Sequence, residues 1–258
     1  MSTGPENYQD NFFEYHLKGA ISSAEAVIPV VKEYINPASV IDVGCGIGAW
    51  LSVWKKGGAK EIMGIDGEYV DTSKLLIEKA EFKAQDLEKS FTSDKKYELV
   101  TCLEVAEHLH EQYAELFIHN LCMLGDVIVF SAAIPGQGGT QHWNEQYSAY
   151  WAKLFRSNGF IPVDCIRLKI WDNPDVMWWY RQNIIIFVKA DKLNTYPLLA
   201  AISKDDGEVR TLIHPQLYKH IRAELNEHKE LSKQYQKAFK SPYLMLKQIA
   251  KNIFRRNE

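Results

Sequence analysis

At 258 residues, with 46% hydrophobic and 24% charged residues, the chain has the make-up of a folded globular protein rather than a disordered or fibrous one. A formal net charge of −3 argues against an electrostatic grip on nucleic acid. No apolar run reaches the roughly 18 residues of a membrane span, and the polar first residues, Met1 to Asn7, carry no apolar signal region. The expectation is a cytoplasmic protein with one main domain, no transmembrane segment and no nucleic-acid partner. Cys45, Cys102, Cys122 and Cys165 form no C-x-x-C pair and mostly lie in or beside apolar runs, so they read as reduced, mostly buried thiols.

Residues 1–35 precede the first strand. Ser22 to Ile35 has helical character, with Ser22 or Ser23 as cap and Pro29 as a kink; Asn36-Pro37 ends it. Val40-Ile41-Asp42-Val43 is a short apolar run ending in a cluster of glycines, Gly44, Gly46 and Gly48, and Trp50 to Trp54 resumes with helical spacing. The pattern predicts strand, tight turn and helix start, where unpaired N–H groups and glycine backbone let a nucleotide-like ligand approach. Two ligand classes fit. Gly44-x-Gly46-x-x-Ala49 satisfies the loose dinucleotide fingerprint. Asp42, two residues before the first glycine, makes the pattern Asp-x-Gly-x-Gly-x-Gly, which resembles the first motif of class I S-adenosylmethionine (SAM) methyltransferases. A carboxylate is unhelpful beside a pyrophosphate but favourable beside the ammonium and sulfonium of SAM.

Glu61 to Gly67 predicts a second strand ending at Asp66, 20 residues beyond Gly46, a spacing that brings a carboxylate to ribose hydroxyls. Glu81 to Leu87 predicts a third, with Asp86 reaching the adenine amino group and Leu87 packing on the ring. Tyr97 to Leu103 and Asp126 to Ser131 are the fourth and fifth strands; Gly136 to His142 is a glycine-rich loop and Asn144 to Asn158 has helical spacing. Phe160 to Lys169 and Met177 to Lys189 read as two long antiparallel strands around the turn Asp172-Asn173-Pro174-Asp175. The predicted fold is α/β: a Rossmann-like, seven-stranded, mostly parallel sheet closed by an antiparallel hairpin, with helices on both faces. Its expected parts are an N-terminal helical segment (1–35) over the site, a SAM-binding core (36–190) and a C-terminal helical extension (191–258). Within the extension, 215–240 is charged with helical spacing. Residues 241–258 put Leu246, Ile249, Ala250, Ile253 and Phe254 on one stripe beside Lys247, Lys251, Arg255 and Arg256. That stripe suits packing on the domain itself, a second subunit, or an acidic membrane surface.

Glu104-x-x-Glu107-His108 follows the fourth strand. If the next turn is helical, the three side chains share one face, and His142 from the loop after strand five lies on the same sheet edge. Two catalytic readings stay open. In one, Glu104, Glu107, His108 and His142 bind a divalent metal, Mg or Mn, that activates an acceptor hydroxyl. In the other, His108 or His142 is a metal-free general base, with Glu107 beside it. Glu104 is also placed among the residues facing the donor.

Taken as a set, Val40 to Leu51, Asp66, Asp86 and Leu103 to Leu109 resemble class I SAM-dependent methyltransferases over about residues 20–190. The resemblance implies that Asp42, Gly44 and Gly46 cradle the methionine part of SAM, Asp66 the ribose, and Asp86 with Leu87 the adenine. A helix ahead of the first strand is usual in that family and less so in dinucleotide domains. Glu-x-x-Glu-His with a later histidine is similar to metal-binding O-methyltransferases of small-RNA ends and ubiquinone synthesis. The loop Gly138-Gly139-Thr140-x-His142-x-Asn144-Glu145-Gln146 and the segment Trp178 to Asn183 resemble bacterial methyltransferases encoded with surface-polysaccharide genes. That likeness implies a sugar hydroxyl as acceptor, with Trp143, Tyr147, Tyr150, Trp151 and Trp178 to Tyr180 available for stacking and Asn144, Gln146, Gln182 and Asn183 for orientation. The alternatives are an O- or N-methyltransferase of another pathway, quinone or phenol type, and a nicotinamide oxidoreductase.

Overall fold

The computed structural model describes residues 5–203, 209–239 and 246–247. The chain divides into two compact units, His16–His214 and a second made of Met1–Tyr15 with Pro215–Glu258. In order, the elements are α1 (Pro5–Lys32), β1 (Ser39–Val43), α2 (Ala49–Lys56), β2 (Glu61–Asp66), β3 (Phe82–Ala84), β4 (Leu99–Leu103), α3 (Ala114–Leu124), β5 (Val127–Ser131), α4 (Ser148–Ser157), β6 (Phe160–Val163), α5 (Arg167–Ile170), α6 (Trp178–Asn183), β7 (Ile185–Lys189), α7 (Pro197–Ser203) and α8 (Pro215–Phe239).

Seven strands form one sheet in the order β3-β2-β1-β4-β5-β7-β6. The first five are parallel; β7 runs antiparallel between β5 and β6. Because strand side chains alternate, an unbroken apolar run feeds two cores at once. Val40 joins one core while Ile41 and Val43 join the other; Leu99 and Leu103 oppose Val100 and Cys102 in the same way, and Ile186 and Val188 oppose Ile185 and Phe187. Ala24, Val27, Ile28 and Val31 of α1 and Leu51 and Trp54 of α2 cover the first face. Phe117, Ile118 and Leu121 of α3 and Trp151 and Phe155 of α4 cover the second. The expected helix-flanked, mostly parallel sheet is therefore the fold. Strand order reverses direction between β1 and β4, which opens the crevice where open α/β sheets take their ligands.

Three local expectations are corrected. The first helix does not start at Ser22 or Ser23: α1 begins at Pro5 and carries Pro29 inside it. Ser23 is wholly buried in mid-helix, where its hydroxyl donates back to Gly19 O (2.6 Å) and accepts from Met177 N (2.9 Å), so it caps nothing. The third strand keeps only Phe82–Ala84, leaving Asp86 and Leu87 in the following turn. The closing pair is antiparallel as expected, but β6 and β7 are short, and the long hairpin is replaced by α5 and α6, with Asp172 to Asp175 between them. Tyr180 of α6 sets its ring edge-on to Trp50 of α2 at 5.2 Å, and Trp179 stacks on His16 of α1 at 5.7 Å. These contacts between helices are what the strand reading lacked.

All four cysteines are buried and unbridged. Burial raises each thiol, Cys122 and Cys165 to about 12, so none is a nucleophile near neutral pH. Among the described residues, no helix is long and apolar enough to cross a membrane. Of the basic stripe at 241–258, only Leu246 and Lys247 lie within the described residues.

Candidate active site

A cleft of about 840 Å³ opens at the C-terminal ends of the parallel strands. Of the residues expected to meet the donor, Gly44, Gly46, Asp66, Asp86, Leu87 and Glu104 line it. His108 from the acceptor side lines it too. Gly44 sits at φ +79, and a Cβ there would come within 2.3 Å of Val105. The turn is thus closed to any side chain by conformation and by contact. From it α2 starts at Ala49 with no side-chain cap, so its first N–H groups remain available to a ligand.

Asp66 organises the turn. Its Oδ2 accepts from Gly46 N (2.6 Å) and its Oδ1 from Gly67 N (2.7 Å) and the Tyr69 hydroxyl (2.5 Å). The Tyr69 hydroxyl thus occupies one of the Asp66 acceptor positions that a ribose hydroxyl would compete for, a residue that spacing arguments passed over. Asp86 is half exposed, pairs with Lys89 (2.9 Å) and accepts from Glu88 N (3.0 Å). The Lys89 ammonium is the main cause that holds the Asp86 carboxyl below its ordinary value.

Asp42 is buried to 4% exposure and does not line the cleft. Its Oδ1 accepts from Thr101 Oγ1 at 2.6 Å. Burial raises it to about 7; the Thr101 bond opposes this and the nearby Asp66 charge adds to it. An unfolded chain ionises this group near pH 4. The folded chain keeps the proton up to about pH 7, so the ligand-free fold loses stability as pH rises through that window. A cationic donor favours the carboxylate. Donor binding at pH 6 should therefore release up to one proton, and at pH 8.5 none. Calorimetric titration in two buffers of different ionisation enthalpy reads this directly; equal apparent enthalpies at pH 6 would show that Asp42 is not coupled to the donor.

On the acceptor side, the segment after β4 is a single tight turn at Ala106–His108. Glu104, at its start, has φ +56, a conformation rarely held by a residue with a Cβ. Its N–H is held by Ser131, at 2.9 Å to the carbonyl and 3.1 Å to the hydroxyl. This kink changes the expected grouping. The Glu104 carboxylate turns to Gln137 Nε2 (2.7 Å) and Asn183 Nδ2 (3.1 Å). Burial pushes its pKa up, against hydrogen bonds from Ser131, Asn183 and Gln137. Glu107, His108 and His142 instead come together, their ligand-type atoms within 4.8 Å of one another. Glu104 therefore drops out of the four-residue metal set and stays as a wall of the cleft.

Glu107 is fully buried, and neither carboxylate oxygen has a hydrogen-bond partner. Burial first, and then the charge of Glu104, push its pKa far up. The His108 and His142 rings meet edge-on at 4.7 Å. His108 Nδ1 faces Gln141 O at 3.3 Å, and His142 Nδ1 faces Glu145 Oε1 at 3.0 Å. A carbonyl and a carboxylate only accept, so each Nδ1 carries a proton. Burial, then the second imidazole, lower His108 below its usual range.

The aromatics sort themselves by exposure. Trp151 is core, Tyr150 packs against it, and Tyr180 is buried. Trp143 is 62% exposed, stacked flat on His110 at 5.6 Å, with its backbone N–H donating to Glu107 O (2.8 Å); Tyr147 is also exposed. Asn144, Gln182 and Asn183 are buried. Gln182 accepts from His214 N, and Asn183 serves Glu104. Gln182 and Asn183 are thus committed within the fold, whereas Asn144, also buried, keeps an Nδ2 with no partner.

A sheet of this order, with a glycine turn and strand-end acids at its crevice, defines a class I SAM-dependent methyltransferase. The chain belongs to the methyltransferase-domain family, whose profile matches residues 20–163, more than half of its length. This sets aside the nicotinamide alternative. No curated protein sequence matches the chain. Among solved structures it is similar to the sugar N-methyltransferase KedS8 from Streptoalloteichus sp. ATCC 53650, at 14% identity and a TM-score of 0.55, covering 70% of this chain and 92% of that one. It is also similar to the magnesium protoporphyrin IX methyltransferase ChlM from Synechocystis PCC 6803, at 21% identity, a TM-score of 0.49, and 66% and 83% coverage. The methyltransferase domain of a bacterial Hen1, CtHen1-C, matches at 19% identity, a TM-score of 0.49, and 66% and 98% coverage. At these identities the likeness is one of fold.

Proposed function

We propose that the protein transfers the methyl group of SAM to a hydroxyl of a sugar or sugar nucleotide used in a bacterial polysaccharide. The acceptor site is formed by Glu107, His108 and His142. The observation that carries this reading is their convergence within 4.8 Å, with His108 of the three lining the donor cleft. Gly44 and Gly46 take the methionine end, with Asp42 acting on it through the field of its buried carboxyl rather than by contact; Asp66 takes the ribose, and Asp86 with Leu87 the adenine, while Glu104 closes the wall between donor and acceptor. Trp143, exposed and fixed by its stack on His110, offers a flat face to a sugar ring beside this site.

The donor set suits a divalent cation. Glu107 brings two buried oxygens with no partner, and each histidine has its Nδ1 turned to an acceptor. Two imidazoles with one carboxylate favour Mn, Fe or Zn over Mg. Such an ion, when bound, polarises the acceptor hydroxyl and lowers its pKa. The chain's own residues do the rest. They hold the acceptor oxygen in line with the sulfonium methyl and keep the site dry, an alignment effect of up to about 7–11 kcal/mol. Because the donor's positive charge is lost on transfer, tight binding of the sulfonium adds nothing to the rate.

Methyl transfer from labelled SAM should appear with sugar nucleotides and not with catechols or quinols, and it should vanish after chelation and return with Mn²⁺. Full activity in chelator would favour the second reading, in which His108, kept neutral by burial, takes the hydroxyl proton itself. Turnover only with phenols would overturn the sugar assignment.

A further inference from the structure

The loop that carries His142 is held in shape by one carboxylate. Glu145 Oε2 accepts from Gly136 N at 2.8 Å, and Oε1 accepts from Gly138 N at 2.8 Å and from His142 Nδ1 at 3.0 Å. Both side chains are largely enclosed, Glu145 at 18% and His142 at 12% exposure. On the far side of the ring, Gly139 lies at φ +153, and a Cβ there would come within 2.3 Å of His142 Nε2. The imidazole is therefore packed against bare backbone on one side and tied to Glu145 on the other. His108 faces backbone carbonyls instead, that of Gln141 at 3.3 Å from Nδ1, and no carboxylate. A carboxylate acceptor on Nδ1 selects one tautomer and leaves the Nε2 lone pair for another partner.

We propose that Glu145 is a positioning residue of the acceptor site: it shapes the Gly136–Gly138 loop and, by accepting from Nδ1, fixes the His142 ring within reach of Glu107 and His108 and directs the single proton of the neutral ring to Nδ1. Its consequence for cation affinity rests on the metal reading given above; its control of the His142 tautomer does not. A partner of this kind is worth about 10–100-fold in metal affinity.

The test uses the full-length, metal-free protein. Long-range ¹H–¹⁵N correlations of the His142 ring should show the proton on Nδ1. Glu145→Ala should give a mixture of tautomers and lower the affinity for Mn²⁺, followed by electron paramagnetic resonance, by about 10–100-fold. Glu145→Gln keeps a carbonyl for His142 and Gly138 and loses only the Gly136 bond, so it should restore the single tautomer and most of the Mn²⁺ affinity. A rescue of this kind separates positioning from bulk structure. A proton on Nε2 with none on Nδ1 in the unmodified protein overturns the proposal even if Glu145→Ala fails to fold, as does an Ala variant whose tautomer is unchanged. If the tautomers behave as stated and the unmodified protein binds no Mn²⁺, the cation reading falls and the role of Glu145 stands.

Discussion

Asp66→Ala should weaken SAM binding by about 10²–10³-fold, the loss of two hydrogen bonds from ribose hydroxyls to a charged acceptor. The same change leaves Gly46 N–H and Gly67 N–H without their acceptor, so the glycine turn itself loosens. Asp66→Asn keeps one oxygen and should fall between. Tyr69→Phe should move the other way: it removes the hydroxyl that holds Asp66 Oδ1 in the ligand-free protein, and binding should tighten by a factor of about 5, one modest hydrogen bond. Calorimetry on the series checks all three. If Asp66→Ala binds SAM as well as the unmodified chain, the ribose is elsewhere. If Tyr69→Phe weakens binding, the tyrosine contacts the donor instead of standing in for it.

Glu107→Gln should abolish most turnover, by about 10²–10⁴-fold, while SAM affinity stays within about twofold. The two effects separate because Glu107 does not line the donor cleft. Stability should rise. The buried carboxyl beside Glu104 has to take up a proton on folding near neutral pH, a cost that an amide does not carry. Loss of activity with a higher melting temperature is the signature of a strained functional group. A variant that keeps full activity would remove Glu107 from the acceptor site. One that loses activity and SAM binding together would make it structural.

The placement of the proposed donor residues was more legible in the sequence, because it depends on spacing along single strands: Gly44, Gly46 and Asp66 line the cleft, while Asp42 is buried and does not. Asp42, Gly44, Gly46 and Asp66 follow from one strand–turn–helix unit and the strand after it, and the topology leaves them little freedom. The acceptor half depends on backbone irregularities that spacing does not encode. An ideal helical turn would have put Glu104, Glu107 and His108 on one face; the left-handed residue Glu104 turns the first of them towards Gln137 and Asn183. No pattern of residue types announced a non-glycine residue at φ +56. The amides of Gln182 and Asn183 were assigned to substrate for the same reason, since only the fold shows them buried around Glu104.

The α5 and α6 region was misread for a different cause. Met177 to Tyr180 is aromatic-rich, which suits a strand by propensity. In the fold these rings serve helix packing: Tyr180 on Trp50 and Trp179 on His16. Such partners lie more than a hundred residues away and outweigh a local preference of less than about 1 kcal/mol. Glu145 was visible only as part of a loop motif. Its meaning comes from three bonds that the loop makes when closed.

The central claim is that the cleft at the β1/β4 crevice is a SAM site. Titration of the metal-free protein with SAM and, separately, with NADH tests it most directly. The account predicts saturable heat at one SAM per chain, lost in Asp66→Ala, and no heat with NADH. A saturable NADH isotherm, or no SAM binding at millimolar concentration, would contradict it.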